Sequence, residues 1–188
     1  MWRITDDFWD NWDLLLNMFE RAEKWCTHAG PGHWPDADML PVGALRQVYK
    51  EDTWTRFTEN EQITMMSLWC MMRSPLMVGA DLPKNDDFTL KLLTNKEVLS
   101  ILTTTHCAHQ LYRNENEIVW MAPSKNEASC YIAVFNISDV DREICVELNA
   151  LDFEYTNAFD LWDLKEHIIS GSITSLVGSH GAKIFKLY

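Results

Sequence analysis

Carboxylates crowd two short stretches of this chain. The first is WRITDDFWDNWD, residues 2–13, where Asp6, Asp7 and Asp10 follow Arg3. The second is GPGHWPDADML, residues 30–40, where Asp36 and Asp38 alternate with Trp34 and Met39 nearby. Two carboxyl groups flanking one bond are what glycoside cleavage requires: roughly 5–5.5 Å apart for retention, farther for inversion. Asp36 and Asp38 are two positions apart, so on extended backbone both point the same way. The plainer reading is a pair of acids in a turn. Asp6, Asp7 and Asp10 also suit a helix start, where acids cap free N–H groups and face the positive end of the dipole. Spacing alone does not choose between these readings.

Other chemistries find less support. Cys26, His28 and His33, and again His106, Cys107 and His109, match no strong zinc spacing, so no metal is expected. GxSxG, P-loop and GxGxxG patterns are absent, and no cofactor is implied. NIS at Asn136 fits a glycosylation acceptor, but a triplet this short also occurs by chance. The formal net charge of −12 argues against nucleic acid, which needs a basic footprint. Five scattered cysteines without a CxxC pair read as reduced and mostly buried. The first residues lack the basic and apolar regions of a signal peptide, which leaves localisation open. The longest apolar region is broken by Arg73, Ser74 and Pro75, so no membrane span is expected.

The acids must be held by elements that the pattern reveals. WRI reads as a strand end. From Asp10, Trp12, Leu15, Leu16, Phe19, Ala22 and Trp25 recur at three- and four-residue spacing, one buried face of a helix that Gly30 and Pro31 end. Gly32 to Asp38 is a second short strand, followed by a loop to about Arg56. TENE, residues 58–61, has the form of a capping box. It opens a helix to about Arg73 that is apolar on most sides and so must be largely buried. PLMVGA from Pro75 fits a fully buried strand, ending near Met77, Val78 and Asp81. A further helix over about Asp86–Ile101 has an interruption near Asn95.

After about His109 the texture becomes short β-rich runs parted by polar turns, the pattern of an antiparallel sandwich. The expected class is therefore α/β plus all-β. Residues 1–105 have the rhythm of two to three units of an incomplete (β/α)8 barrel, and residues 106–188 that of the antiparallel β-sandwich. In such barrels function sits where strands end; here those ends carry Arg3, Asp6 and Asp7, then His33, Trp34, Asp36, Asp38 and Met39, then Met77, Val78 and Asp81. A partial barrel leaves unpaired strand edges, so self-association is a further expectation.

Taken together, WRITDDFWDNWD, AGPGHWPDADMLPVG, FTENEQITMMSLWCMMRSPLMVGADL and LLTNKEVLSI resemble the α-galactosidase family of glycoside hydrolases, which also contains α-N-acetylgalactosaminidases. The match runs in order from Trp2 to about Ile101, and the rest resembles that family's C-terminal sandwich in pattern. The resemblance implies a retaining hydrolase of terminal α-linked galactose or N-acetylgalactosamine. It implies Asp7 as the acid/base, Arg3, Asp38 and Met39 as sugar contacts, and Trp34 and Asp36 as pocket support. The implied nucleophile and the first five strands have no counterpart here. The chain is then expected to be inactive alone, with α-galactosides and an N-terminal barrel half as partners. The other reading is a non-catalytic galactoside-binding module that uses sandwich aromatics such as Trp120 or Trp162, although both also suit a core.

Overall fold

A computed structural model describes residues 1–45, 54–125, 128–149, 151 and 154–188. Much of the loop expected before Arg56 lies outside the described residues. Three chain passes run parallel. β1 (Trp2–Arg3) pairs with β2 (Pro35–Asp36), and Leu40 bridges Val78 in parallel. The Leu40 amide donates to the Met77 carbonyl at 2.8 Å, and the Gly79 amide donates to the Leu40 carbonyl at 2.9 Å. The expected buried strand at Pro75 is thus a single bridge. Met77 and Val78 are 39% and 41% exposed, because Leu40 covers one side of this pass and the segment is left open to solvent. An apolar run marks a segment that favours burial, not one that achieves it.

The helices follow the sequence pattern closely. α1 (Trp12–Trp25) is capped by Asn11, whose side chain accepts from the Leu14 amide, and it buries Leu15, Met18, Phe19 and Ala22. Met18 takes the fully buried place expected of Leu16. α2 (Glu59–Met72) opens with the full capping box. The Thr58 hydroxyl accepts from the Glu61 amide at 3.2 Å, and the Glu61 carboxylate accepts from the Thr58 amide at 2.8 Å. Such reciprocal caps stabilise a helix by about 1 kcal/mol. Asn95 separates α3 (Asp87–Thr94) from α4 (Lys96–Thr104), and its side chain caps the second by accepting from the Glu97 and Val98 amides.

The second half is antiparallel. A six-stranded sheet has the order β3 (His109–Arg113), β4 (Glu117–Pro123), β5 (Cys130–Asn136), β10 (Ala182–Leu187), β7 (Asn157–Asp160) and β8 (Lys165–Ile168). β6 (Arg142–Glu147) and β9 (Ser172–Val177) form a second layer. β5 is buried at every position because both faces are covered. Cys130, Ile132 and Val134 join the core shared with Ile144, Val146 and Ile173 of the outer pair. Tyr131, Ala133 and Phe135 face the other way, into the core that contains Leu68, Trp69 and Phe19. α2 therefore lies between the remaining helices and the sheet, which explains why its residues are apolar all round.

Two sequence readings meet the structure here. Asn136 is fully buried, and its amide nitrogen donates to the carbonyls of Val140, Val177 and Gly178, so the NIS triplet is structural and closed to glycosylation. The five cysteines are all free and most are buried, as expected: Cys26, Cys70 and Cys130 lie inside, while Cys107 and Cys145 are exposed. Burial pushes the Cys70 thiol up to about 12. Among the described residues no helix is long and apolar enough to cross a membrane.

Candidate active site

The two acidic stretches meet at the ends of the parallel passes. Arg3 leaves β1 and places Nη2 2.5 Å from Asp38 Oδ2 and 3.4 Å from Asp7 Oδ1. The same nitrogen lies 3.4 Å from the carbonyl of Asp6. One guanidinium thus gathers three points of the acidic cluster. Asp38 Oδ2 also accepts from the Phe8 amide at 2.7 Å. Asp38 and Arg3 are one ion pair with a backbone tie, and the tie fixes the residue next to Asp7.

Asp38 holds an uncommon backbone conformation, with φ of 76°. For a residue with a Cβ this left-handed region costs energy, least so for Asp and Asn. Two contacts on its own peptide groups hold it there. Its amide donates to Asp36 Oδ1 at 2.9 Å, and its carbonyl accepts from Trp69 Nε1 at 3.0 Å. Asp36 is 6% exposed, so its carboxylate is spent on shaping the turn. Met39, partly buried, lies against Gly79. A Cβ at Gly79 would sit 2.5 Å from the Met39 sulfur, so glycine lets the two meet without Met39 shifting.

Asp7 differs from the rest. Its side chain is 88% exposed, and Arg3 is the partner the structure gives it. The segment that carries it is nevertheless anchored on both sides. The Phe8 ring is buried against Trp69 at 4.9 Å and Phe57 at 6.2 Å between centroids. Asp10, only 5% exposed, accepts from the Arg56 amide at 2.6 Å and from its guanidinium at 2.9 Å. An exposed carboxyl on an anchored segment is a geometry that suits proton transfer to a substrate atom within hydrogen-bond reach.

Trp34 is engaged elsewhere: the Arg73 guanidinium lies over its ring at 4.0 Å. Burial holds Arg73 below its usual value, with the nearby Cys107 opposing in part. Asp81 faces Lys84 at 3.6 Å. Trp120 is fully buried, and Trp162 donates from Nε1 to Ser67 at 2.9 Å. Trp120 therefore offers no face to a sugar, while Trp162 packs partly buried against the core. Sequence reasoning missed the Asp10–Arg56 clasp and the Phe8 anchor. Partners so far apart in sequence leave no periodic signal, and the only hint was an apolar residue inside an acidic run. Among the described residues no group of three His, Cys, Asp or Glu side chains is arranged to hold a metal.

Residues 1–103 match the family model described as alpha galactosidase A, and residues 114–187 match the alpha galactosidase C-terminal beta sandwich domain. Alpha-galactosidase D of Emericella nidulans is 31% identical over 99% of this chain and 28% of its own length. Alpha-galactosidase 2 of Arabidopsis thaliana is 28% identical over 99% of this chain and 46% of its own length. Among solved structures, a GH27 β-L-arabinopyranosidase from Geobacillus stearothermophilus superposes with a TM-score of 0.93. It is 44% identical and is matched over 100% of this chain and 44% of its own. The chain therefore spans less than half the length of these relatives.

Proposed function

Given that this chain belongs to the alpha galactosidase A family of glycoside hydrolases, we propose that it supplies the proton-donor side of a retaining glycosidase site. The observation that carries this reading is the convergence of Arg3, Asp7 and Asp38 at the ends of two parallel passes. Asp7 is the acid/base. It gives its proton to the departing glycosidic oxygen, then takes one from the water that releases the sugar. Its exposure leaves room for a leaving group, and Arg3 orients it from behind. Asp38 Oδ2 is occupied by Arg3 and Phe8, which leaves Oδ1 to accept from a sugar hydroxyl. Met39 forms an apolar wall, and Asp36 and Trp34 act as supports for the pocket strand.

The attacking carboxylate comes from polypeptide beyond these residues, a role we assign to the N-terminal part of a complete barrel. This fits the share of the relatives that the chain spans. Within the chain we place the divide between barrel part and sandwich at residue 105. The substrate is a terminal α-galactoside or a β-L-arabinopyranoside, following the names of the relatives. The two sugars present the same ring hydroxyls and differ by the hydroxymethyl group.

The test uses this chain mixed with the N-terminal barrel part of the Geobacillus relative. Asp7→Asn should cut turnover of substrates with poor leaving groups by about 10²–10⁴-fold. Substrates with activated aryl leaving groups should suffer much less, since they need little protonation. Equal losses on both classes would remove Asp7 as the proton donor.

A further inference from the structure

The tryptophans sort by what covers them. Trp69 and Trp120 are fully buried, Trp2, Trp12, Trp25 and Trp162 pack partly buried against the core, and the Arg73 guanidinium covers Trp34. Trp9 and Trp54 remain, 43% and 46% exposed. Tryptophan is highly buried on average, and a single open ring needs no explanation. These two, however, flank one and the same clasp beside the candidate site.

Residues 7–10 are not helical and alternate in burial: Asp7 and Trp9 are exposed, Phe8 and Asp10 are buried. Residues 54–57 do the same, with Trp54 and Arg56 exposed and Thr55 and Phe57 buried. Such alternation sets Asp7 and Trp9 on one outer side of their segment, and Trp54 and Arg56 on one outer side of theirs. Inner contacts join the segments. The Phe8 and Phe57 ring centroids lie 6.2 Å apart, and Asp10 accepts from the Arg56 amide and guanidinium.

The backbones under both rings are held. The Trp9 carbonyl accepts from the Asn11 amide at 2.8 Å. Trp54 bridges Ala44, and the next residue, Thr55, donates from its amide to Gly43 and from its hydroxyl to Pro41, each at 2.8 Å. A large flat ring on anchored backbone has only two side-chain torsions to lose on binding.

A pyranose has a face of C–H groups edged by hydroxyls. An indole matches it, with an apolar face for the C–H groups and one N–H to donate to a hydroxyl. Depth decides which sugar the rings would meet. The Asp38 side chain is 15% exposed and that of Asp7 is 88% exposed. The sugar that is cleaved off therefore lies inward, at Asp38, and the leaving group lies outward, on the side of Asp7 that carries Trp9.

We propose that Trp9, extended by Trp54, is a stacking platform for the leaving group, so that the site favours substrates whose leaving group is itself a sugar ring over those that release a simple alcohol. The assignment to the leaving group rests on the reading of Asp7 as proton donor. The capacity of the two rings to hold a sugar does not.

The test mixes this chain with the N-terminal barrel part of the Geobacillus relative and compares α-galactosyl-glucose with methyl α-galactoside, or the matching pair of β-L-arabinopyranosides. Trp9→Ala should lower the ratio of kcat/KM for the disaccharide to that for the methyl glycoside about three- to tenfold, the worth of one ring contact. Trp54→Ala should move the ratio in the same direction, and Trp9→Phe should keep most of it. An unchanged ratio in Trp9→Ala, or a Trp9→Ala chain that no longer joins the N-terminal part, would overturn the proposal. Should the mixture prove inactive, the indole N–H signals of this chain alone decide. Added glucose must shift Trp9 and Trp54 saturably and leave Trp120 in place, and the absence of a saturable shift refutes the platform. An Asp7→Asn protein with full turnover would sink the donor reading instead, while the indole shifts still report whether the rings hold a sugar.

Discussion

Asp38 Oδ2 accepts from both the Arg3 guanidinium, at 2.5 Å, and the Phe8 amide, at 2.7 Å. One oxygen therefore couples the floor of the candidate pocket to the residue that follows Asp7. The acid that suits a sugar hydroxyl is also the peg on which the proton donor's backbone hangs.

Asp38→Asn tests that coupling. An amide oxygen can replace only one of these acceptor roles at full strength, and the charge that Arg3 faces is gone. The expected loss is about 1–3 kcal/mol of stability, the range for breaking hydrogen bonds to charged groups. Urea denaturation measures it. The Phe8 amide should also lose protection in the folded state. A variant as stable as the parent, with Phe8 unchanged, would show the tie to be weak.

Gly79→Ala should disturb the pocket without touching an acid. The new methyl would meet the Met39 sulfur at 2.5 Å and its Cγ at 3.1 Å, so Met39 must move. Overpacking of this kind costs about 1–3 kcal/mol. The methyl signal of Met39 in a ¹³C spectrum should shift, while the methyls of β5 stay in place. An unmoved Met39 methyl would mean that the backbone yields instead.

Thiol chemistry should divide the cysteines by burial. Cys107 and Cys145 should react with a thiol reagent at once, and Cys26, Cys70 and Cys130 only on unfolding. Counting titrated thiols before and after adding denaturant checks this. Fast reaction of more than two thiols in the native chain would contradict the burial pattern.

Stability should fall in alkali, and the sign follows from burial. The folded-state Cys70 thiol sits at about 12 against an ordinary value of 9.0. Tyr112 is pushed up to about 12 by burial and by Glu117, from 10.0. The unfolded chain therefore gives up these protons first as pH rises. The stability these groups contribute is intact below about pH 9 and drains away as pH climbs toward 12. Denaturation midpoints at a series of alkaline pH values read this out. A flat profile across that window would show that these groups ionise alike in both states.

Local patterns were legible in the sequence wherever one element satisfied itself. The 58–61 capping box, the α1 stripe and the Asn95 break each involve residues three or four apart, so spacing reveals them. The short β-rich runs of β4 and β5, parted by polar turns, marked the sandwich. What spacing could not reveal was pairing across the chain. Asp10 with Arg56 and Phe8 with Asp38 depend on where the passes come together. The run at Pro75 misled because hydrophobicity records a preference, while burial depends on the neighbours present. Asn136 stayed open because a three-residue motif carries no information on depth. The positions of Arg3, Asp7 and Asp38 came from resemblance to a family, and their convergence is geometry that no spacing rule supplies.

Turnover of an aryl α-galactoside tests the central claim most directly. It would be measured for this chain alone, for the N-terminal barrel part of the Geobacillus relative alone, and for the two mixed. Activity should arise in the mixture only, with an aryl β-L-arabinopyranoside run alongside. Robust turnover by this chain alone, or a stable complex of the two parts with no turnover of either substrate, would contradict the claim that this chain carries the proton-donor half of a shared site.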